Sequence, residues 1–174
     1  MPRGLTHKSG CSVRIRRAEL RDMDAVMDLE NRVFATDRLS RRSLRHFLHA
    51  PTAEVLVAEA DGRFAGTAIV LFRAGSVVAR LYSIAVAPHL GGRGIASLLL
   101  EAAEDRARVR KCRAIRLEVH ETNHRAISRY RKSGYQEVGR RDAYYEDGSD
   151  ALLFEKPIHR SQREGGWGRS RRRM

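Results

Sequence analysis

An α/β fold, one domain built on a mixed sheet of about seven strands flanked by about four helices, is predicted by three observations. Apolar residues recur with period two in some stretches and near period 3.6 in others, and the two kinds interleave along the chain. A strand, a glycine-rich loop, a long amphipathic helix and another strand follow one another over residues 76–119, the pattern of a parallel crossover. Hairpin signals join other strands as antiparallel neighbours, so the sheet is mixed rather than purely antiparallel.

The elements follow in order. Residues 13–17 alternate and read as a short strand. Residues 20–34 carry Met23, Val26, Met27 and Phe34 near a helical period. Residues 40–49 form a second, basic helix, with Ser40 placed to cap it and Pro51 to mark its stop. Residues 54–60 and 64–74 are strands joined at Asp61, Gly62 and Arg63, a good hairpin turn. Residues 76–86 are a further strand, ended by Pro88. Residues 94–109 put Ile95, Leu98, Leu99, Ala102 and Ala103 on one helical face. Residues 114–119 alternate as a strand, and 123–133 read as a helix capped by Asn123 and stopped by Gly134. Residues 135–140 and 151–156 pair as a last antiparallel ribbon. Residues 1–12 and 159–174 are rich in Gly, Ser and Arg and read as disordered ends, which leaves one domain over 13–158.

Composition narrows the function classes. Of 174 residues, 42% are hydrophobic and 32% charged, ordinary for a soluble globular protein. No apolar run approaches the roughly 20 residues of a membrane span. Residues 1–10 lack the apolar core of a secretory signal, so a cytoplasmic protein is expected. Cys11 and Cys112 are too few for a disulfide framework or a four-thiol metal site. The formal charge is +13, and residues 159–174 hold six arginines against one glutamate. The folded part is basic as well, which favours acidic partners: nucleic acid, a ribosome, or the phosphates of a cofactor.

The loop Ala87-Pro-His-Leu-Gly-Gly-Arg-Gly-Ile-Ala-Ser joins a strand to the long helix. Its glycines let the backbone turn sharply and approach a ligand closely. The helix start then offers unpaired N–H groups and the positive end of the dipole, a combination that binds phosphate. Neither the nucleoside-triphosphate loop G-x-x-x-x-G-K-[ST] nor G-x-G-x-x-G is present, and a bare glycine-rich loop is also read as a plain tight turn.

The run from Tyr82-Ser-Ile-Ala-Val through Gly91-Gly-Arg-Gly-Ile-Ala-Ser to Leu98-Leu-Leu resembles the central acetyl-CoA motif of the GNAT superfamily of N-acetyltransferases. That resemblance implies a splayed strand pair, with exposed backbone groups at Ile84, Ala85 and Val86 holding the pantetheine arm. It also implies that backbone amides of Gly92, Arg93, Gly94, Ile95, Ala96 and Ser97 hold the pyrophosphate of acetyl-CoA. The family pattern is Q/R-x-x-G-x-G/A, and Gly91 stands at its first position, so the usual Gln or Arg side chain is missing. Arg93, within the loop, is the expected replacement.

Acetyl transfer needs a neutral amine, hydrogen-bond donors for the oxyanion and a proton for the leaving thiolate. The segment from Arg116 to Tyr135 supplies candidates. It resembles ribosomal-protein-alanine N-acetyltransferases and their archaeal relatives, whose pattern is L-E-V…N…A…L-Y…G-F/Y. Carried over residue by residue, Glu118 falls on the general base, Tyr130 on the general acid and Asn123 on a CoA-contacting position. Arg129 stands where an apolar residue is usual. Read without the resemblance, a strand-end Glu is ordinarily solvated and a helix Tyr ordinarily core. Further on, Tyr144 and Tyr145 precede an Asp147-Gly148 turn and resemble the Tyr-Tyr hairpin that covers the peptide site of N-terminal acetyltransferases. A hairpin with surface aromatics is the plainer reading.

The resemblance covers residues 13–158 and implies no metal. A protein α-amine near pKa 8 is about 10% neutral at pH 7, whereas a lysine amine near 10.4 costs roughly 3 kcal/mol more to deprotonate. An N-terminal α-amine of a protein or peptide is therefore the favoured acceptor, with lysine side chains and small-molecule amines as alternatives. A basic RNA- or ribosome-binding module is the non-enzyme alternative, and the arginine-rich tail is the segment expected to make such a contact. His120-Glu-Thr-Asn-His124 matches the H-E-x-x-H zinc motif. That chemistry needs both His on one helix face, and here a strand-to-helix boundary separates them.

Overall fold

A computed structural model of the chain describes residues 5–6, 12–35 and 38–158. In chain order the elements are β1 (Leu5–Thr6), β2 (Ser12–Arg17), α1 (Met23–Val33), α2 (Arg41–His49), β3 (Ala53–Ala60), β4 (Arg63–Leu71) and β5 (Val78–Val86). There follow α3 (Ile95–Val109), β6 (Ala114–His120), α4 (His124–Lys132), β7 (Gln136–Arg141) and β8 (Ala151–Pro157). Eight strands form one sheet in the order β1-β2-β3-β4-β5-β6-β8-β7. The β5–β6 pair is parallel, joined by α3, and every other pair is antiparallel. The strand beyond the seven expected is β1, two residues pairing with β2 inside the stretch read as disordered. The arginine-rich tail lies outside the described residues.

Local chemistry fixes the element ends. The Ser43 amide donates to Ser40 Oγ at 3.0 Å, capping α2, and the Ala126 amide donates to Asn123 Oδ1 at 3.2 Å, capping α4. Asp61 and Gly62 both take positive φ, 50° and 76°, the twist a two-residue hairpin requires. The helix expected over 20–34 opens as a 3-10 turn at Leu20–Asp22 before α1 begins.

The pleat divides the core between two faces. On one, α3 and α4 bring Leu99, Leu100, Ala103 and Ile127 to Ala68, Val70, Leu81, Ile115 and Leu117. On the other, α1 and α2 bring Met23, Val26 and Leu44 to Val55, Val57 and Ile69. Covered on both faces, β3 is buried at nearly every position, including Glu54, whose carboxylate pairs with Arg106 and Arg110.

Asp22 ties the start of α1 to the sheet. Arg16 Nη1 and Nη2 donate to its two oxygens at 2.7 and 2.8 Å, and the Glu19 amide adds a third hydrogen bond. The Arg16 guanidinium holds the Asp22 carboxyl below the usual carboxylate range, against the opposing pull of burial. A carboxylate whose folded pKa lies below its unfolded value, near 3.9, stabilises the fold above that value. The contribution is lost as pH falls through the depressed folded value. Acid unfolding monitored by circular dichroism is therefore expected to steepen below about pH 4, and Asp22→Asn to flatten that limb while lowering stability at neutral pH by about 1.5–3 kcal/mol. An unchanged acid limb in Asp22→Asn would show that the pair is not the source.

Candidate active site

The loop after β5 is built for close approach by a ligand. A 3-10 turn at Pro88–Leu90 leads to Gly92 and Gly94, with φ of 78° and 76°, values an L side chain rarely adopts. Gly94 is the N-cap of α3 and no side chain caps that helix, so the first-turn amides of Ile95, Ala96 and Ser97 have no partner within it. Ile95 is itself buried in the core, so only its backbone can serve a ligand. Beside this helix start lies a cleft of about 320 Å³ lined by Ser97, Arg125, Ser128, Arg129, Lys132 and Ser133. Among the described residues none of Arg125, Arg129 and Lys132 is paired with a carboxylate. Hydroxyls and unpaired cations at an open helix N-terminus fit a phosphate-bearing cofactor.

The strands on either side of α3 part company. Their ladder holds three pairs, Val78 with Ala114 through Arg80 with Arg116. Beyond it, β5 stays registered on β4 as far as Val86, while β6 follows β8 as far as His120. A bulge adds to the divergence: Ile69 faces Ser83 but Val70 faces Leu81, so Tyr82 is an extra residue in β5. The edge of β5 over Ile84, Ala85 and Val86 therefore faces an opened seam. The Ala85 side chain packs with Leu29 and Ala87 on the α1 face, which leaves backbone groups to serve the seam.

Glu118 lies two residues past the last β5–β6 pair, on the face of α1 and α2. Arg80 Nε donates to Glu118 Oε2 at 3.0 Å, and an Arg141 nitrogen lies 4.0 Å from the other oxygen. Arg80 also donates to the Tyr144 hydroxyl at 2.8 Å. Tyr144 meets Tyr145 edge-on at 5.1 Å, and Tyr145 stacks on His120 at 4.9 Å. The Tyr82 ring packs edge-on against Phe47 of α2 at 5.3 Å. Nearby, Ser83 donates to the buried Glu30 of α1 at 2.5 Å, and burial pushes that carboxyl up, partly offset by the Ser83 hydroxyl. Glu118, Tyr144 and Tyr145 are thus brought together around an aromatic wall beside the seam.

Tyr130 lies in the core on the opposite face, with the residues of α3 and α4. It is 6% exposed, tilted against Tyr135 and Phe154, and burial pushes its phenol up to about 12. Its hydroxyl has no hydrogen-bond partner among the described residues. Asn123 spends its carbonyl oxygen on the α4 cap. Arg93 is exposed on the loop, and the side chain that lies over Gly91 is Arg125: a Cβ built at Gly91 would stand 3.2 Å from Arg125 Nη2. His120 ends β6, and His124 opens α4 beyond its cap. His120 Nε2 meets Asp147 Oδ2 at 3.1 Å, and no cluster of three or more metal-ligating side chains occurs among the described residues.

The Acetyltransferase (GNAT) family profile matches residues 21–135. A Bacillus subtilis protein described as a putative [ribosomal protein bS18]-alanine N-acetyltransferase is 31% identical over 141 residues, covering 80% of this chain and 92% of its own length. An N-alpha-acetyltransferase of Sulfurisphaera tokodaii is 31% identical over 166 residues, covering 87% and 96%. The crystal structure of the Escherichia coli ribosomal-protein-S18-alanine N-acetyltransferase superposes with a TM-score of 0.75 at 28% identity, covering 84% of this chain and 94% of that one. The chain belongs to the GNAT family of acetyltransferases and is an N-acetyltransferase. The family's co-substrate is acetyl-CoA, and the open seam, the glycine loop and the cationic cleft suit it.

Sequence reasoning missed Arg80, Arg125 and the Glu30–Ser83 pair. A signal for Arg80 was available, since it is a charge inside the otherwise apolar strand of residues 76–86. Nothing local marks Arg125, because its significance lies in what it overhangs.

Proposed function

We propose that this enzyme acetylates the N-terminal α-amine of a protein, such as a ribosomal protein. One observation carries the reading: Glu118 stands where β5 and β6 separate, on the face walled by Tyr144 and Tyr145. Acetyl-CoA supplies the acetyl group as a thioester. Amides at Gly92, Arg93, Gly94, Ile95, Ala96 and Ser97 would hold its pyrophosphate, and the β5 edge at Ile84, Ala85 and Val86 its pantetheine arm. Asn123, the N-cap of α4, is the further CoA contact that the family resemblance implies. The Glu118 carboxylate, oriented by Arg80, accepts the proton that the attacking amine gives up. Tyr130 retains its own proton. An alkyl thiol titrates near 8.5, so full transfer from a phenol at about 12 would run uphill by about 5 kcal/mol. Tyr130 Oη therefore serves as a hydrogen-bond donor to the departing sulfur. The names of the relatives and the lower proton cost of an α-amine support a protein N-terminus as acceptor, and contact with RNA through the basic tail of residues 159–174 is part of the same proposal.

Acetyl-CoA-dependent thiol release should be followed with N-terminal peptides, lysine peptides and small amines. Turnover is expected on the free N-terminal peptides, with Glu118→Gln lowering kcat/KM by about 100-fold. Faster turnover on lysine peptides or small amines would overturn the acceptor assignment. A full rate in Glu118→Gln would remove that residue from the chemistry.

A further inference from the structure

We propose that Arg125, reaching from the first turn of α4 over Gly91, supplies the cationic phosphate contact that the loop's own first position lacks. The inference rests on the loop before α3 being the pyrophosphate site of acetyl-CoA. Gly91 has φ −59° and ψ 148°, a conformation open to any residue, so its backbone does not require glycine. Space is what is taken. A Cβ there would lie 3.2 Å from Arg125 Nη2 and 3.3 Å from the Pro88 carbonyl oxygen. The guanidinium therefore occupies the volume that a side chain at residue 91 would enter, directly beside the amides that open α3. It lines the cleft together with Ser97 of α3 and has no carboxylate partner among the described residues. An unpaired guanidinium next to free amides presents forked donors to phosphate oxygens, a charge-assisted contact stronger than an amide alone provides. Loop and helix thereby share one function: the loop stays narrow for close backbone approach, and α4 brings the charge.

Binding of CoA and of dephospho-CoA to the full chain should be measured by isothermal titration calorimetry for wild type, Arg125→Ala, Gly91→Gln and the double variant. Arg125→Ala is expected to weaken both ligands by on the order of tenfold, the loss of one charged hydrogen-bonded contact. Gly91→Gln should weaken binding in the wild-type background, where Gln and Arg125 compete for one volume. In the Arg125→Ala background it should restore binding to within about threefold of wild type. Arg125 is exposed, so thermal unfolding without ligand is expected to stay unchanged, and Arg125→Gln repeats the test at closer volume. Unchanged affinity in Arg125→Ala and Arg125→Gln would overturn the proposal, as would a double variant no better than Arg125→Ala. A loss seen with CoA but not with dephospho-CoA would overturn it too, by assigning Arg125 to the 3′-phosphate. Failure of wild type to bind either ligand would instead overturn the cofactor reading beneath it.

Discussion

Tyr130→Phe is expected to lower kcat about 100-fold while changing the Kd for CoA less than twofold. The substitution removes one oxygen and keeps the ring, which is tilted against Tyr135 and Phe154 in the core and 6% exposed. Because the hydroxyl has no protein partner among the described residues, its removal strands no buried group, and stability should move by less than about 1 kcal/mol. Its value lies in the transition state, where negative charge grows on sulfur, and loss of one preorganised donor to such a charge costs about 100-fold or more. With its phenol pushed up to about 12, Tyr130 keeps its proton throughout the working range. The alkaline side of the kcat profile should therefore show no limb from Tyr130 below about pH 10. Full activity in Tyr130→Phe, measured with the acceptor that wild type turns over fastest, would show that the sulfur leaves unaided.

Gly66→Val is expected to lower stability by about 3 kcal/mol, seen as a fall in Tm of roughly 10 °C, and to weaken CoA binding as well. Gly66 lies in β4 opposite Val86, where β5 ends. A Cβ at Gly66 would come within 2.8 Å of the Ala85 carbonyl oxygen and 3.1 Å of Leu99 Cδ1. The first of these is backbone, so no rotamer change relieves it. Either β4 and β5 move apart or the end of β5 shifts, and that end carries Ile84, Ala85 and Val86 at the seam. Leu99, fully buried on α3, resists from the other side. A core substitution far from the seam would lower Tm alone. The joint loss of stability and cofactor affinity distinguishes Gly66, and Gly66→Val with both unchanged would mean that the strand pair yields freely.

Local pattern carried much of the fold. The hairpin at Asp61 and Gly62, the caps at Ser40 and Asn123 and the stop at Gly134, where φ is 88°, are settled by residue chemistry within four positions, and they were legible. The parallel crossover was legible because a strand, an amphipathic helix and a strand leave few ways to cover an apolar face. Strand order at the far edge was not. The last two strands pair as the turn signals require, but β8 inserts beside β6 and leaves β7 at the edge. Either strand could have taken the inner place by periodicity alone, and what separates them is burial: every residue of β7 is exposed, whereas Ala151 and Phe154 of β8 are fully buried.

The candidate site divides in the same way. By itself the sequence determined that a glycine loop precedes a helix, that a Glu lies near the end of one strand and that a Tyr lies two helical turns past an Asn cap. The resemblance drawn from those motifs named the family that the comparisons show. Only the tertiary structure decided that β5 and β6 separate after three pairs, that Tyr82 bulges, and that Arg80 joins Glu118 to Tyr144 across 38 and 64 residues of chain. It alone set Arg125 over Gly91, 34 positions away. The physical reason is range: turn and helix preferences act between neighbours in the chain, whereas a guanidinium finds its carboxylate, or its empty volume, only after strand order and register have brought distant segments together.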